Sequence, residues 1–254
     1  MAESRTDLQN RRFGSTFRRD SWWLEVFPVI IVFGGFGIYA TWRAFQGVSY
    51  EFGPYLSPFY SPLIDPEHHW LPAWLSPALL ILGAPLGFRT TCYYYRKAYY
   101  RAFFLSPPSC AVTGRGAGSY SGERKFPFIL QNLHRYFLYL AILFIFILAY
   151  DAVKAFFFDG HFGIGVGSLL MTANVVLLGC YTFSCHSLRH IIGGKLDCFS
   201  CEVAGGTRYK AWKGVSILNE RHMVFAWLSL VSVGLTDLYI KLLCEGTITD
   251  LRLF

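Results

Sequence analysis

Between residues 179 and 201 the chain reads GCYTFSCHSLRHIIGGKLDCFSC, which holds four cysteines and two histidines. Thiolates and imidazoles are the ligands of zinc, copper and iron–sulfur groups, so this density points to a metal or to redox chemistry. His186 and His190 are spaced i, i+4 and share one face of a helix. Cys185 lies about 100° round from His186, and Cys180 sits about one and a half turns deeper. Cys198-Phe199-Ser200-Cys201 is a CxxC, whose spacing suits two thiolates on one metal. The segment starts as apolar helix and ends as loop, which places the chemistry at the end of a hydrophobic run.

The elements that must position these groups are membrane helices. Of the 254 residues, 54% are hydrophobic and 15% charged, well below the charged share of a soluble domain. The predicted fold class is all-α, an integral bundle of five transmembrane helices near 24–42, 71–92, 136–157, 164–188 and 223–244. The second contains Pro72, Pro77 and Pro85 and is expected to kink, with neighbouring helices satisfying the freed carbonyls. Residues 1–23 read as a tail, 24–245 as the membrane domain and 246–254 as a second tail. The tail's arginines and the long apolar run after Trp23 do not fit a short cleavable signal. The basic charge is a matter of topology rather than nucleic-acid binding.

Sidedness follows from that charge. With the N-terminus cytoplasmic, segments 1–23, 93–135 and 189–222 carry 18 of the 23 Lys and Arg. Cys92, Cys110, Cys180, Cys185, Cys198 and Cys201 then fall on or near the cytoplasmic side, as do His134, His186, His190 and His222. That compartment is reducing, so a disulfide framework is not expected. His68, His69 and His161 fall in outer loops and read as solvated surface. LQNLHRYFLYLAI and LNERHMVFAWLSL, at the starts of the third and fifth helices, both place Asn ahead of His. Two Asn-capped helix starts would look the same without any duplication.

Intramembrane polar groups are costly unless functional. Cys92, His134, Cys185 with His186, and His222 all reach similar depth, against a bland reading in which cysteines pack and histidines meet headgroups. The outer halves of the helices have no histidine, which disfavours two stacked haems. One haem b between His222 and His186 remains open. The excess of cysteine puts a [2Fe–2S] cluster with mixed Cys and His ligands ahead of it. The predicted ligands are Cys92, Cys185, His186, His190 and His222, with Cys180, Cys198 and Cys201 in reserve. Arg89, Tyr93, Arg96 and His134 offer donors beside apolar surface, as a quinone headgroup requires. Asp151 and Asp237 read as rim partners of Lys154 and Lys241. A small transporter lined by Asn174, Asp151 and Asp237 is the rival from another class, but no broken-helix pair supports it.

RTTCYYYRKAYYRAFFLSPPSCAV (89–112), LQNLHRYF (131–138), CHSLRHIIGG (185–194) and LNERHMVFAW (218–227) together resemble the membrane anchor of actinobacterial-type succinate dehydrogenase. This is the single-chain, five-helix relative of the cytochrome b anchors, and the likeness runs from about residue 20 to the C-terminus. In the wider anchor families an Arg-His pair ends the helix that carries a haem ligand two turns earlier. Arg189-His190 fits that pair, but the position seven before His190 is Phe183, which leaves Cys180, Cys185 and His186 available. The resemblance implies a flavoprotein subunit and an iron–sulfur subunit as partners on the cytoplasmic side of a bacterial plasma membrane. It also implies quinone as the electron acceptor and leaves a higher oligomer of the complex open. A purely structural anchor without cofactor is the remaining alternative.

Overall fold

The computed structural model describes residues 21, 23–64, 76–103, 124–126, 128–194, 198, 200–201 and 204–253. His68, His69, Pro72 and Cys110 lie outside them. Among the described residues eight α-helices run in the order α1 (Trp23–Gln46), α2 (Pro77–Thr91), α3 (Tyr93–Phe103), α4 (His134–Lys154), α5 (Val166–Phe183), α6 (His186–Gly193), α7 (Gly205–Glu220) and α8 (His222–Cys244). A 3-10 helix (Phe128–Leu133) leads into α4, and there are two short antiparallel hairpins among the described residues: β1 (Glu51–Phe52) with β2 (Tyr55–Leu56), and β3 (Phe157–Phe158) with β4 (His161–Phe162).

Among the described residues, four helical segments are long and apolar enough to cross a membrane: Trp23–Gln46, Ile129–Lys154, Val166–Phe183 and His222–Cys244. They match the first, third, fourth and fifth predicted spans. The second is shorter than expected. Ser76 caps α2 by accepting from Ala78 N at 3.3 Å, Pro77 takes the first helical position, and Cys92 ends the helix in an extended conformation. Pro at that position lacks an N–H that would be unpaired anyway. Pro85 sits inside the helix as expected.

Each predicted helix that leaves the apolar region is broken rather than continuous. Cys92 (φ −63°, ψ 130°) separates α2 from α3, and Ser184-Cys185 (Cys185 φ −63°, ψ 135°) separates α5 from α6. The Cys185 sulfur accepts from Ser187 N at 3.3 Å and so caps α6. Arg101 on α3 reaches Glu25 at the start of α1 at 3.3 Å. The first turn of α1 therefore lies at the same end of the bundle as these two breaks.

The opposite end is closed by loops. Arg43 and Asp237 are fully buried and paired, with Arg43 Nε donating to Asp237 Oδ2 at 2.8 Å and Nη2 to Oδ1 at 3.0 Å. Tyr39 also donates to Asp237 at 2.5 Å, as does Ser57. Arg43 further donates to the carbonyls of Val48 and Ser49, each at 3.0 Å, which ties the β1–β2 loop to α1. Asp151 accepts from Ser61 at 2.5 Å. The rim pairs read from sequence are thus corrected. The acids turn inward to these partners, and Lys241 pairs with Glu245 on its own helix turn. The last residues are held too: Leu253 N donates to Ile164 O at 2.7 Å and Val166 N to Leu251 O at 3.1 Å.

Candidate functional site

Two five-residue stretches build the site. Phe88-Arg89-Thr90-Thr91-Cys92 ends α2, and Tyr181-Thr182-Phe183-Ser184-Cys185 ends α5. Both follow one pattern: aromatic, two residues, hydroxyl, cysteine. Cys92 N donates back to Arg89 O and Cys185 N to Thr182 O, at 3.2 and 3.3 Å. Each cysteine carbonyl then accepts from an arginine four residues on, Arg96 or Arg189. The facing helices α4 and α8 each open on a histidine.

The two histidines are used identically. His134 Nδ1 lies 2.9 Å from Thr91 Oγ1 and its Nε2 lies 3.1 Å from Cys185 Sγ. His222 Nδ1 lies 2.7 Å from Ser184 Oγ and its Nε2 lies 3.4 Å from Cys92 Sγ. Phe88 stacks on His134 at 4.7 Å and Tyr181 on His222 at 5.1 Å. Each histidine therefore takes its hydroxyl and its ring neighbour from one stretch and its thiol from the other.

The hydroxyls decide the tautomer. Thr91 Oγ1 donates to Gly87 O at 2.7 Å, and Ser184 Oγ donates to Tyr181 O at 3.0 Å. A hydroxyl has one proton. With that proton used on the helix backbone, each oxygen accepts from a neutral imidazole Nδ1–H. The lone pair on Nε2 is then aimed at a sulfur, whose S–H donates to it. A partner on one ring nitrogen that fixes what the other can bind is the usual way a histidine ligand is oriented.

Cys92 and Cys185 are 3% and 2% exposed and belong to one buried cluster with Phe88, Tyr95, Leu138, Ala141, Tyr181 and Ala226. Burial pushes the Cys185 thiol up to about 11, with a smaller upward contribution from Cys92. The site groups two thiols with two imidazoles. Among the described residues no three His, Cys, Asp or Glu side chains converge on a single ion position. Two soft and two borderline donors are grouped instead as two pairs.

Several predicted ligands stand elsewhere. His186 and His190 are exposed on α6, because the break at Ser184-Cys185 turns that helix out of line with α5. The i, i+4 spacing is kept on an exposed face of α6, with His186 still close enough to His222 to act on it electrostatically. Cys198 and Cys201 are joined in a disulfide, their Cα atoms 5.5 Å apart, which uses both sulfurs and corrects the reading of this CxxC as reserve ligands and of the chain as free of disulfides. Cys180 is partly buried within α5, outside both pairs.

The quinone set is divided as well. Arg89 faces inward: it donates to Tyr95 at 2.5 Å and to Ser229 at 3.1 Å, and its guanidinium lies 4.8 Å over the Tyr181 ring. His134 belongs to the thiol-paired set. Tyr93 is 70% exposed and Arg96 lies over its ring at 4.9 Å, as in an interfacial belt. A cavity of about 300 Å³ lies beside the site, lined by Phe88, Arg89, Ala141, Leu178, Tyr181 and by residues of α1. Tyr181 and Tyr95 went unnoticed in the sequence reading. The repeated aromatic–x–x–hydroxyl–Cys pattern is the signal that would have found Tyr181.

Comparison with known proteins agrees with the motif resemblance. The family model of the actinobacterial succinate dehydrogenase subunit SdhC matches residues 24–246. A solved structure described as the Mycobacterium smegmatis Sdh1 complex in the apo form contains a chain 46% identical to this one. The match covers 94% of each chain with a TM-score of 0.83. No curated protein matches the chain. A match over nearly the whole membrane region, together with a near-complete structural superposition, is sufficient: the chain belongs to the actinobacterial SdhC family, the membrane subunits of succinate dehydrogenase.

Proposed function

We propose that this chain anchors succinate dehydrogenase in a bacterial plasma membrane by five crossings. The α3/α6/α7 end faces the cytoplasm, and the chain there passes electrons from a docked iron–sulfur subunit to quinone. The flavoprotein subunit sits beyond that partner, and this chain is not catalytic alone. Cys92, Cys185, His134 and His222 would hold a [2Fe–2S] cluster with mixed ligands. The observation that carries this reading is the pair of tautomer-fixed imidazoles, each aimed at a buried thiol. Four donors shared by two irons, two apiece, are what such a cluster needs, and no three-ligand ion site is required. When bound, the group supplies a one-electron relay at a potential raised by neutral imidazoles in place of thiolates.

The chain's own residues do the rest. Thr91 and Ser184 hold the imidazoles in the ligating tautomer. Both thiols lose their protons on ligation, which makes cofactor loading proton-releasing. Phe88 and Tyr181 stack on the histidines and also line the adjacent cavity, so a quinone there would lie one ring away from the ligands. Arg89 is the cavity residue with a fixed positive charge to orient a quinone carbonyl, and the apolar walls suit the ring and its tail.

The test is spectroscopic. The purified complex should contain iron beyond that of its soluble subunits and show a Rieske-like EPR signal on reduction. His134→Ala and His222→Ala should abolish that signal and slow succinate-dependent quinone reduction at least tenfold, whereas His186→Ala should retain both. A reduced α-band in its place would favour haem b. Full quinone reduction with neither signal would leave only a structural anchor.

A further inference from the structure

The two halves of the site differ at one point that the repeat makes visible. Cys185 Sγ accepts a hydrogen bond from Ser187 N at 3.3 Å in addition to facing His134. At Cys92 the thiol donates to His222 Nε2, and no backbone N–H donates to its sulfur among the described residues. Beside it stands Tyr181, about 1% exposed, whose buried hydroxyl has no partner at full hydrogen-bond geometry and interacts with the Cys92 side chain. A buried hydroxyl without a partner is uncommon and calls for an explanation. The Cys92 thiol is its close neighbour, in the same buried cluster and held against the imidazole on which the Tyr181 ring stacks. At the repeat-equivalent position stands Phe88, which has no hydroxyl to satisfy.

A neutral thiol whose proton is already given to His222 is a poor acceptor. A ligated thiolate is a strong one. The unpaired hydroxyl and the under-served sulfur each supply what the other lacks, once the S–H proton has gone. Building on the cluster reading above, we propose that Tyr181 is a positioning residue that donates a hydrogen bond to the ligated Cys92 sulfur. It thereby raises the reduction potential of the bound group and makes the two thiolate ligands alike in donor number. Hydrogen bonds to ligand sulfurs withdraw negative charge and are an established lever on cluster potential. Nothing is oxidised or transferred in this step; a donor already present turns to an acceptor created by loss of one proton.

The experiment is an EPR-monitored redox titration of the intact complex, wild type against Tyr181→Phe. The variant should keep iron content and assembly. Its midpoint should fall by roughly 59 mV, a tenfold change in the one-electron equilibrium. Incorporating 3-fluorotyrosine at position 181, a more acidic phenol and stronger donor, should move the midpoint the other way, and this arm stands even where Tyr181→Phe fails to load. An unchanged midpoint in the loaded variants, with a normal wild-type signal, overturns the role of Tyr181 and leaves the cluster reading standing. Absence of any such signal from the wild-type complex overturns both.

Discussion

At the scale of single residues, the histidines separate by what their second nitrogen meets. His134 and His222 have a hydroxyl whose proton is already committed, so the nitrogen each turns toward a thiol is fixed by the fold. Thr91→Val removes the acceptor for His134 Nδ1–H while keeping shape. It should lower cofactor occupancy in the purified complex by about tenfold, the lower end of what loss of an outer-shell partner costs, measured as iron per complex. Ser184→Ala should act alike through His222. The other buried polar centre is structural. Replacing Asp237 by Ala strands the fully buried Arg43 and should destabilise the bundle by about 3–5 kcal/mol, read as a lower unfolding temperature in detergent. That cysteines and histidines gather at one end was legible from sequence; which of them pair with one another was not. Spacing favoured His186 and His190, and only the backbone break before them shows that their shared face points outward.

At the scale of elements, the site depends on how closely α2 and α4 approach. Gly87 permits this contact: a Cβ there would lie 2.3 Å from a Phe137 ring carbon. Gly87→Ala should push the helices apart and strain the Thr91–His134 bond, costing about 1–3 kcal/mol and reducing cofactor retention. Gly206→Ala, where an added Cβ meets nothing within 4 Å, is the matched control. The apolar runs told four helices within a few residues of their ends, because long hydrophobic stretches carry a strong signal. The breaks at Cys92 and Ser184-Cys185 were invisible to that signal. They come from cysteines held in an extended conformation just ahead of the next helix, a choice that hydropathy does not register.

At the scale of the whole molecule, the bundle has one end built from catalytic side-chain types and one end closed by hairpins and a buried ion pair. The orientation proposed for it predicts an outcome of labelling. In intact cells, an impermeant maleimide should react with a cysteine placed at Phe52, exposed on the β1–β2 hairpin, and should not react with one placed at Lys213 on α7. The reverse pattern would put the thiol–imidazole end outside, away from its soluble partners. Charge asymmetry is the sequence feature on which this orientation rests. The hairpins and the inward turn of Asp151 and Asp237 were not readable from sequence, since those acids find partners far away in the chain.

Each histidine reaches across to the cysteine of the other stretch, with His134 meeting Cys185 and His222 meeting Cys92. Neither half of the polypeptide can therefore assemble a competent pocket by itself. During biosynthesis the pocket comes into being only after the final helix has been threaded into the bilayer. On the cluster reading proposed above, loading waits for a finished subunit, and a chain truncated before His222 should carry no added iron.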